Sequence, residues 1–306
     1  AREKDDLLGV LGDSKNFEEV LRRTFGDEIT DIFFKQYNEK LYCTDLKNIS
    51  ADGMKRFIPK ITFDEVINNF KVKKEFGYNI TFLYSPISGI QGLVDALIKE
   101  KSVNVALNET VLDIDIINKK VTTDKRTITY ETLINTLPLD LFTKLAHQQN
   151  IDLKSVDVHV YNITYEGENS SNIKNRCWVY VPSKKIPFYR VGYYSFMSGK
   201  HDTSIYVEVS TPSGIDIAPS LEEVDQDLKK YGFISNDATI QDYQHLLISP
   251  AYAILEKDTD EKVSKYRIQL QMNDVYLTGR YGSWTYESIE DNILNAKKLA
   301  EKLSII

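Results

Sequence analysis

The sequence is poor in the residues that build disulfide frameworks and metal sites. It has only two cysteines, Cys43 and Cys177, which lie far apart in the chain. Two distant thiols do not form a disulfide framework, so the sequence predicts a protein of a reducing compartment, the cytoplasm. The four histidines show no metal-ligand spacing, and the sequence therefore predicts no metal site.

Excess positive charge and long apolar runs are also absent. The formal net charge is −7, with 38 basic residues against 45 acidic ones. Because a nucleic-acid surface needs a basic footprint, we expect no nucleic-acid partner. No apolar run approaches the length of a membrane-spanning helix, and residues 1–6 do not form a signal peptide. The expected partner is a small-molecule substrate, and the oligomeric state stays open.

A third absence concerns dinucleotide binding. A dinucleotide-binding βαβ unit carries Gly-x-Gly-x-x-Gly between a strand and a helix. The sequence has no such motif, and Gly9 and Gly12 follow no apolar strand. The chain also begins with Ala1 rather than methionine. We therefore expect it to be the later portion of a longer protein.

The patterns that are present predict a mixed α/β fold. Helical spacing of apolar residues predicts a helix at 17–25, between Asn16 as its cap and Gly26 as its end. A second helix, at 27–41, carries an apolar stripe that includes Ile29 and Ile32, and this stripe is expected to be core. Further helical patterns lie at 62–70, 93–98, 221–231 and 288–303.

Strand patterns fall into two groups. The first group predicts strands at 103–107, 110–117, 119–123 and 127–130, followed by a buried strand at 132–138. The second group predicts an antiparallel sheet from 156–165, 177–182, 188–196, 203–210 and 251–255. Its many tyrosines suit stacking on a sugar or a base. They are equally good β-formers for an exposed sheet face, and both interpretations stay open.

A strand, a glycine loop and a helix follow one another near the end of the chain. The strand covers 275–278, Gly279 and Gly282 mark the loop, and the helix covers 288–303. This order can point backbone N–H groups and a positive helix end at an anionic ligand. Arg280 adds a cation and Tyr286 a flat face. A plain βα turn at a sheet edge explains the same spacing.

Five segments resemble the UDP-galactopyranose mutases and the wider FAD-dependent amine-oxidase superfamily, and they occur in the same order. They are Tyr37-x-x-Lys40-x-Tyr42, in which Tyr42 takes the place of a tryptophan; Tyr84-Ser85-Pro86-Ile87-Ser88-Gly89; the passage from Val111 to Thr136-Leu137-Pro138; Pro187-Phe188-Tyr189-Arg190; and Gly279-Arg280-Tyr281-Gly282-Ser283-Trp284.

The resemblance implies a mixed α+β architecture in three parts. A helical section would cover residues 14–75. A partial FAD-binding, Rossmann-like domain would cover 76–150 and 276–306. An antiparallel-sheet substrate domain would cover 151–275.

The resemblance also implies roles for individual residues. Those expected to contact FAD are Val111, Thr136, Gly279, Arg280, Gly282 and Ile289. Those expected to bind substrate are Tyr37, Tyr42, Arg190 and Tyr206. The expected catalytic residues are Arg190, Tyr252 and Tyr286.

Three functions follow as alternatives. The first is an FAD-dependent, sugar-nucleotide mutase-like isomerase of cell-surface polysaccharide biosynthesis, with FAD held by the complete protein rather than by this chain alone. The second is an amine-oxidase-like oxidoreductase or desaturase, which Thr211 favours because the mutases carry a diphosphate-clamping arginine at that position. The third is a non-catalytic fragment or binding module that holds no FAD.

Overall fold

The computed structural model shows a mixed α/β protein, as the sequence predicts. Two of the predicted segments, the helix at 62–70 and residues 84–87, lie almost entirely outside the described residues. The structure describes residues 14–52, 67–68, 88–99, 104–148, 151–167, 173, 176–198, 203–215 and 217–303.

The first helix has the predicted bounds. Helix α1, Phe17–Phe25, begins where the Asn16 side chain accepts a hydrogen bond from the backbone N–H of Glu19, at 3.0 Å. It ends at Gly26, whose φ of +83° suits a residue without a Cβ. The cap and the glycine therefore define this helix as the sequence indicates.

The second helical stretch follows without a loop. Helix α2, Asp27–Ile29, continues through the π-helical turn Thr30–Phe34 into α3, Lys35–Tyr42. The prediction that its apolar stripe is core is wrong in part, because Ile29 and Ile32 are 54% and 70% exposed. The wider π turn changes the face that the helix presents to the core.

An ion-pair network joins α1 to α3. Glu18 is 5% exposed and accepts hydrogen bonds from Arg22 and Lys35, each at 2.9 Å. Burial raises the pKa of Glu18, but the two cations outweigh burial and hold this pKa below its ordinary value. The carboxylate therefore stays charged inside the helical section.

The meander of three strands is present, but the first predicted strand is not. Strands β1, Val111–Asp115, β2, Lys120–Thr123, and β3, Thr127–Thr129, pair antiparallel in chain order. Residues 104–107, at the place of the first predicted strand, have no strand pairing, and Leu107 is 72% exposed. An apolar alternation without a partner strand gives no sheet.

A pair of parallel strands connects distant parts of the chain. Strand β4, Leu133–Asn135, is followed by α5, Leu139–Leu145, and pairs with β10, Val275–Leu277. In this pairing Leu277 lies opposite Asn135. The loop that follows β10 therefore begins beside the end of β4.

Among the described residues, the largest sheet has five antiparallel strands in the order β6-β7-β8-β5-β9. They are β5, Lys154–Glu166; β6, Trp178–Tyr180; β7, Arg190–Tyr193; β8, Thr203–Pro212; and β9, Thr239–Ile254. Helices α6, Tyr194–Ser198, and α7, Leu221–Lys230, lie between its strands in the chain, and α8, Thr259–Gln271, shares a core with Val275 and Leu277 of β10.

Two predicted strands of this sheet have different bounds. The predicted strand 188–196 turns into α6 after Tyr193, and the predicted strand 251–255 is only the end of β9. The part of β9 from 241 to 249 is exposed throughout. Because a strand exposed on both faces has no apolar alternation, periodicity did not reveal it.

The two faces of the sheet pack against different helices. On one face, Tyr161 and Ile163 share a core with Val224 and Leu228 of α7. On the other face, Val156 and Val158 share a core with α1 and α3. The second face carries the candidate site.

The chain closes with two helices, α9, Gly279–Gly282, and α10, Ile289–Lys302. Neither α10 nor α4, Gln91–Ile98, has a buried residue. The helical pattern at 93–98 is present in α4, but its apolar residues Leu93 and Leu97 are 40% and 56% exposed. Among the described residues, no helix is long and apolar enough to cross a membrane.

Candidate functional site

The structure brings together seven of the predicted site residues from separate parts of the chain. We call this group the tyrosine–arginine cluster. Its members are Tyr37, Tyr42, Arg190, Tyr206, Tyr252, Arg280 and Tyr286.

Arg190 is the cation of the sheet side. It lies opposite Glu208 in the β7–β8 register, and its Nη2 donates to Glu208 Oε1 at 2.5 Å. Its guanidinium also lies 5.9 Å from the ring centre of Tyr189 and 5.7 Å from that of Tyr206. Burial lowers the pKa of Arg190, but the charge and hydrogen bond of Glu208, together with the neighbouring Tyr252 and Tyr189, outweigh burial, so this pKa is raised. Arg190 therefore stays protonated.

Tyr206 owes its position to a glycine. Gly192 lies opposite it on β7, and a Cβ at Gly192 would come within 1.9 Å of the Tyr206 ring. The ring can therefore lie flat across β7, beside Arg190, only because residue 192 lacks a side chain. Burial raises the pKa of Tyr206 to about 12, so its hydroxyl is a hydrogen-bond donor at neutral pH.

Arg280 is the cation of the loop side. Its guanidinium lies 4.3 Å from the ring centre of Tyr286 and 5.0 Å from that of Tyr252. These two rings are stacked at 5.8 Å, with an angle of 17° between them. The Arg280 backbone N–H is fixed by Asn292 Oδ1 at 2.9 Å. Two parallel rings and a guanidinium thus offer a flat, cationic surface.

The two tyrosines of α3 differ in accessibility. Tyr37 is half-buried and lies edge-on to Tyr189, at 6.2 Å. Tyr42 is 1% exposed, packs edge-on against Tyr252 and shares a hydrogen bond with Tyr286. Tyr42 therefore supports the cluster from behind. Its predicted contact with substrate stays a prediction.

The buried polar atoms beside the cluster that have no hydrogen-bond partner among the described residues include Arg190 Nε and Ser210 Oγ, as well as Glu208 Oε2 and Tyr189 Oη. Ser210 lies two residues from Glu208 on β8 and therefore shares its face of the sheet. Since an unsatisfied buried donor costs about 1–3 kcal/mol, these atoms are suited to groups of a ligand.

Thr211 lies on the opposite face of the sheet. Its side chain is buried, and its Oγ1 is 3.4 Å from Nε2 of His159. It therefore points away from Arg190. The mutases carry a diphosphate-clamping arginine at the position of Thr211, and in this chain the side chain at that position does not lie on the face of the sheet that carries the cluster.

The glycine loop packs on β4. A Cβ at Gly282 would lie 2.6 Å from the carbonyl oxygen of Asn135, so close packing requires this glycine. Gly279 has a φ of +77°, and a Cβ there would be 3.8 Å from Thr136 Cγ2. The local backbone conformation and packing therefore explain why both positions are glycine, without a ligand. Their predicted contacts with FAD stay predictions.

The helix after the loop does not present a free N-terminus to an anion. Ser288 and Asp291 form a capping box, with Asp291 Oδ2 accepting from the Ser288 backbone N–H at 2.8 Å. This carboxylate and that of Glu290 place negative charge at the start of α10, which favours the plain βα turn, and the anion site there stays a prediction. Ile289 is 55% exposed there, and Val111 packs on the core around Phe142.

The FAD that the sequence resemblance implies can be compared with these residues. Arg280, Tyr252 and Tyr286 fit a planar ring system that accepts hydrogen bonds. The described residues offer no glycine-rich turn between a strand and a free helix start, which a pyrophosphate needs. The described residues therefore suit the ring part of a flavin and not its pyrophosphate.

Comparison with solved structures gives the fold. The chain is similar to a reduced UDP-galactopyranose mutase, at 20% identity over 99% of this chain and 71% of that chain, with a TM-score of 0.84. It is also similar to a putative protoporphyrinogen oxidase from Exiguobacterium sp. 255-15, at 16% identity, 98% and 70% coverage and a TM-score of 0.71. A CLA-producing fatty acid isomerase from P. acnes follows, at 12% identity, 94% and 66% coverage and a TM-score of 0.61. No protein-family model matches the chain.

The comparisons confirm the fold that the resemblance predicted. The chain has the mixed α/β fold of UDP-galactopyranose mutase. At these identities the likeness concerns the fold, and the roles of single residues stay predictions.

Sequence reasoning assigned no role to three residues that shape the cluster. Glu208 pairs with Arg190, Gly192 admits the Tyr206 ring, and Lys40 donates to three backbone carbonyls of the β6–β7 connection. Each of these roles depends on strand register or on a contact between distant segments. No local pattern carries that information.

Proposed function

We propose that the tyrosine–arginine cluster binds a flavin ring and a nucleotide sugar, and that the complete protein is an FAD-dependent, mutase-like isomerase. The observation that carries this proposal is the placement of two guanidiniums, those of Arg190 and Arg280, in one tyrosine-lined cluster. The fold likeness to a UDP-galactopyranose mutase supports it. Cell-surface polysaccharide biosynthesis is the process that such a reaction serves.

The residues divide into two groups by their surroundings. Arg280, Tyr252 and Tyr286 would hold the flavin ring, because they form a flat surface with a positive charge beside it. A reduced flavin supplies a nucleophilic nitrogen when it is bound. The chain's own contribution is to hold the sugar against that surface and to neutralise phosphate charge.

Arg190 would bind the phosphate. Its Nε is buried without a partner among the described residues, while its Nη2 is held by Glu208. The guanidinium donors that Glu208 does not occupy can meet a phosphate through a charge-assisted hydrogen bond, worth about 1.5–3 kcal/mol. Ser210 Oγ, on the same face, can donate a further bond.

Glu208 supports a second candidate function. Its carboxylate already neutralises Arg190, so a diphosphate has to share the guanidinium with it. A substrate without a diphosphate meets no such competition, which favours an amine-oxidase-like oxidoreductase or a desaturase. UDP affinity separates the two candidates, because only the mutase-like site gains from binding the diphosphate.

The test compares two conservative substitutions. Arg190→Lys keeps the charge opposite Glu208 but removes Nε, and it should weaken UDP binding about tenfold or more. Arg126→Lys is the matched control, since Arg126 pairs with Glu109 on the exposed meander and should leave UDP binding unchanged. Calorimetric titration gives both affinities. Equal UDP affinity of the Arg190→Lys variant and the wild type would remove Arg190 from the phosphate site.

The third candidate, a binding module without FAD, is tested by the visible spectrum. A flavin absorption band in the purified protein, or saturable binding of added FAD, excludes it.

A further inference from the structure

Lys40 joins the helical section to the strand that carries Arg190. Its Nζ donates hydrogen bonds to the backbone carbonyls of Val181, at 2.9 Å, Ser183, at 2.9 Å, and Phe188, at 2.5 Å. An ammonium group has three donors, and three carbonyls accept them here. This contact crosses more than 140 positions of sequence, from α3 to the connection between β6 and β7.

The three carbonyls lie at both ends of one connection. Val181 directly follows β6, and Phe188 is two residues before Arg190, the first residue of β7. A backbone hydrogen bond from the Val181 N–H to the Tyr189 carbonyl oxygen, at 2.8 Å, joins the two ends of this connection. The ammonium therefore holds the start of β7 in place, immediately ahead of the guanidinium.

The aromatic contacts of α3 support the same docking. Tyr37, one helical turn before Lys40, packs edge-on against Tyr180 at 5.2 Å and against Tyr189 at 6.2 Å. These rings flank the residues whose carbonyls bind Lys40. Tyr37 fixes the side of the connection by packing, and Lys40 fixes its backbone by hydrogen bonds.

Lys40 is held by dipoles rather than by a carboxylate. Burial lowers the pKa of Lys40 to about 8. Since the ammonium is partly desolvated, the three carbonyls supply its stabilisation. Loss of the ammonium leaves those carbonyls without their donor, and the connection loses the group that defines its position.

We propose that Lys40 is a positioning residue, which sets Arg190 for phosphate binding by holding the carbonyls of Val181, Ser183 and Phe188. This inference rests on the proposed function, because it assigns the phosphate to Arg190. Lys40 does not touch the ligand. It acts through the backbone that carries the guanidinium.

The experiment compares UDP with uridine in three proteins. Lys40→Met keeps the stem of the side chain and removes its donors. Lys184→Met is the matched control, because Lys184 lies in the same connection and pairs with Glu39 of α3 in an exposed salt bridge, at 2.8 Å. We expect Lys40→Met to weaken UDP binding at least fivefold and to leave uridine binding within twofold. Lys184→Met should change neither affinity.

A purely structural role for Lys40 gives a different result. In that case the melting temperature of Lys40→Met falls, but UDP and uridine affinities change by the same factor. That outcome overturns the proposal. In an Arg190→Lys background, Lys40→Met should add no further loss of UDP affinity, and a full additive loss also overturns it.

A measurement without ligand separates this proposal from the proposed function. Hydrogen exchange of the peptide that spans residues 181–193 should accelerate at least tenfold in Lys40→Met and stay unchanged in Lys184→Met. If the wild type binds no UDP, the proposed function fails, and the exchange data still decide whether Lys40 holds the connection. Equal exchange in the wild type and Lys40→Met refutes the positioning role.

Discussion

Gly282→Ala tests whether the glycine loop is shaped by packing on β4. A Cβ at residue 282 would lie 2.6 Å from the Asn135 carbonyl oxygen and 3.1 Å from Thr136 Cα. Ordinary contact begins at 3.4 Å, so the loop or β4 has to move by about 0.8 Å (3.4 minus 2.6). Both neighbours are backbone atoms, which cannot rotate away.

The expected cost follows from two contributions. Overpacking of a close contact costs about 1–3 kcal/mol. The Asn135 oxygen also accepts a hydrogen bond from Thr278 N at 3.1 Å, and displacement of the oxygen weakens it, for about 1 kcal/mol. We therefore expect Gly282→Ala to lower the free energy of unfolding by about 2–4 kcal/mol, a large share of the usual 5–15 kcal/mol.

Urea denaturation followed by circular dichroism measures this change. Gly192→Ala is the matched control, because its Cβ would meet the half-buried ring of Tyr206, which can rotate at a cost of about 0.5–1.5 kcal/mol. The reasoning is refuted if Gly282→Ala unfolds at the wild-type urea concentration. It is also refuted if Gly192→Ala is the more destabilised of the two variants.

Three further predictions use the ionisable groups. Burial raises the pKa of Cys43 to about 11, so little of the reactive thiolate is present at pH 8, and alkylation of Cys43 should be about 100-fold slower than that of free cysteine. Equal alkylation rates contradict this prediction. Glu18→Gln should destabilise the fold by about 1–2 kcal/mol, since Arg22 and Lys35 lose their charged partner, and an unchanged urea midpoint contradicts this. The difference from wild type should shrink as the pH falls from the ordinary carboxyl pKa through the lowered pKa of Glu18. Burial raises the pKa of Tyr286 to about 12, so above pH 10 the folded protein keeps a proton that the unfolded chain loses, and the free energy of unfolding should fall between pH 10 and pH 12. Tyr286→Phe should remove part of this pH dependence. An identical pH dependence in the variant and the wild type contradicts the assignment.

The sequence predicted those elements that local chemistry determines. Asn16 and Gly26 mark the ends of α1, and the predicted helix 221–231 begins at the capping box of Ser220 and Glu223. A cap and its helix lie within a few residues of each other, so a local pattern contains the whole signal. The meander β1–β3 is local for the same reason.

Features that depend on neighbours could not be predicted in this way. Strand β9 has an exposed, polar first part, and its pairing with β5 comes from the whole sheet. The π turn at Thr30–Phe34 and the exposure of Leu97 on α4 likewise depend on how the helices pack. Apolar spacing predicts a helix, but it does not identify what the apolar face contacts.

The candidate site shows the same division. Arg190, Arg280 and the tyrosines were selected by their type and by the family resemblance, and the structure brings seven of them together. Glu208 required the β7–β8 register, and Lys40 required the docking of α3 on a distant connection. Such partners become visible only when distant segments meet.

The most direct test of the proposed flavin site is a visible spectrum with an FAD titration. It should be made on this chain and on the version that starts at the first codon of its gene, each as wild type and as Arg280→Lys. We predict a flavin band and saturable FAD binding in the gene-length protein, weakened at least tenfold by Arg280→Lys, and little binding by this chain alone. Absence of FAD binding in both versions contradicts a flavin site in the tyrosine–arginine cluster.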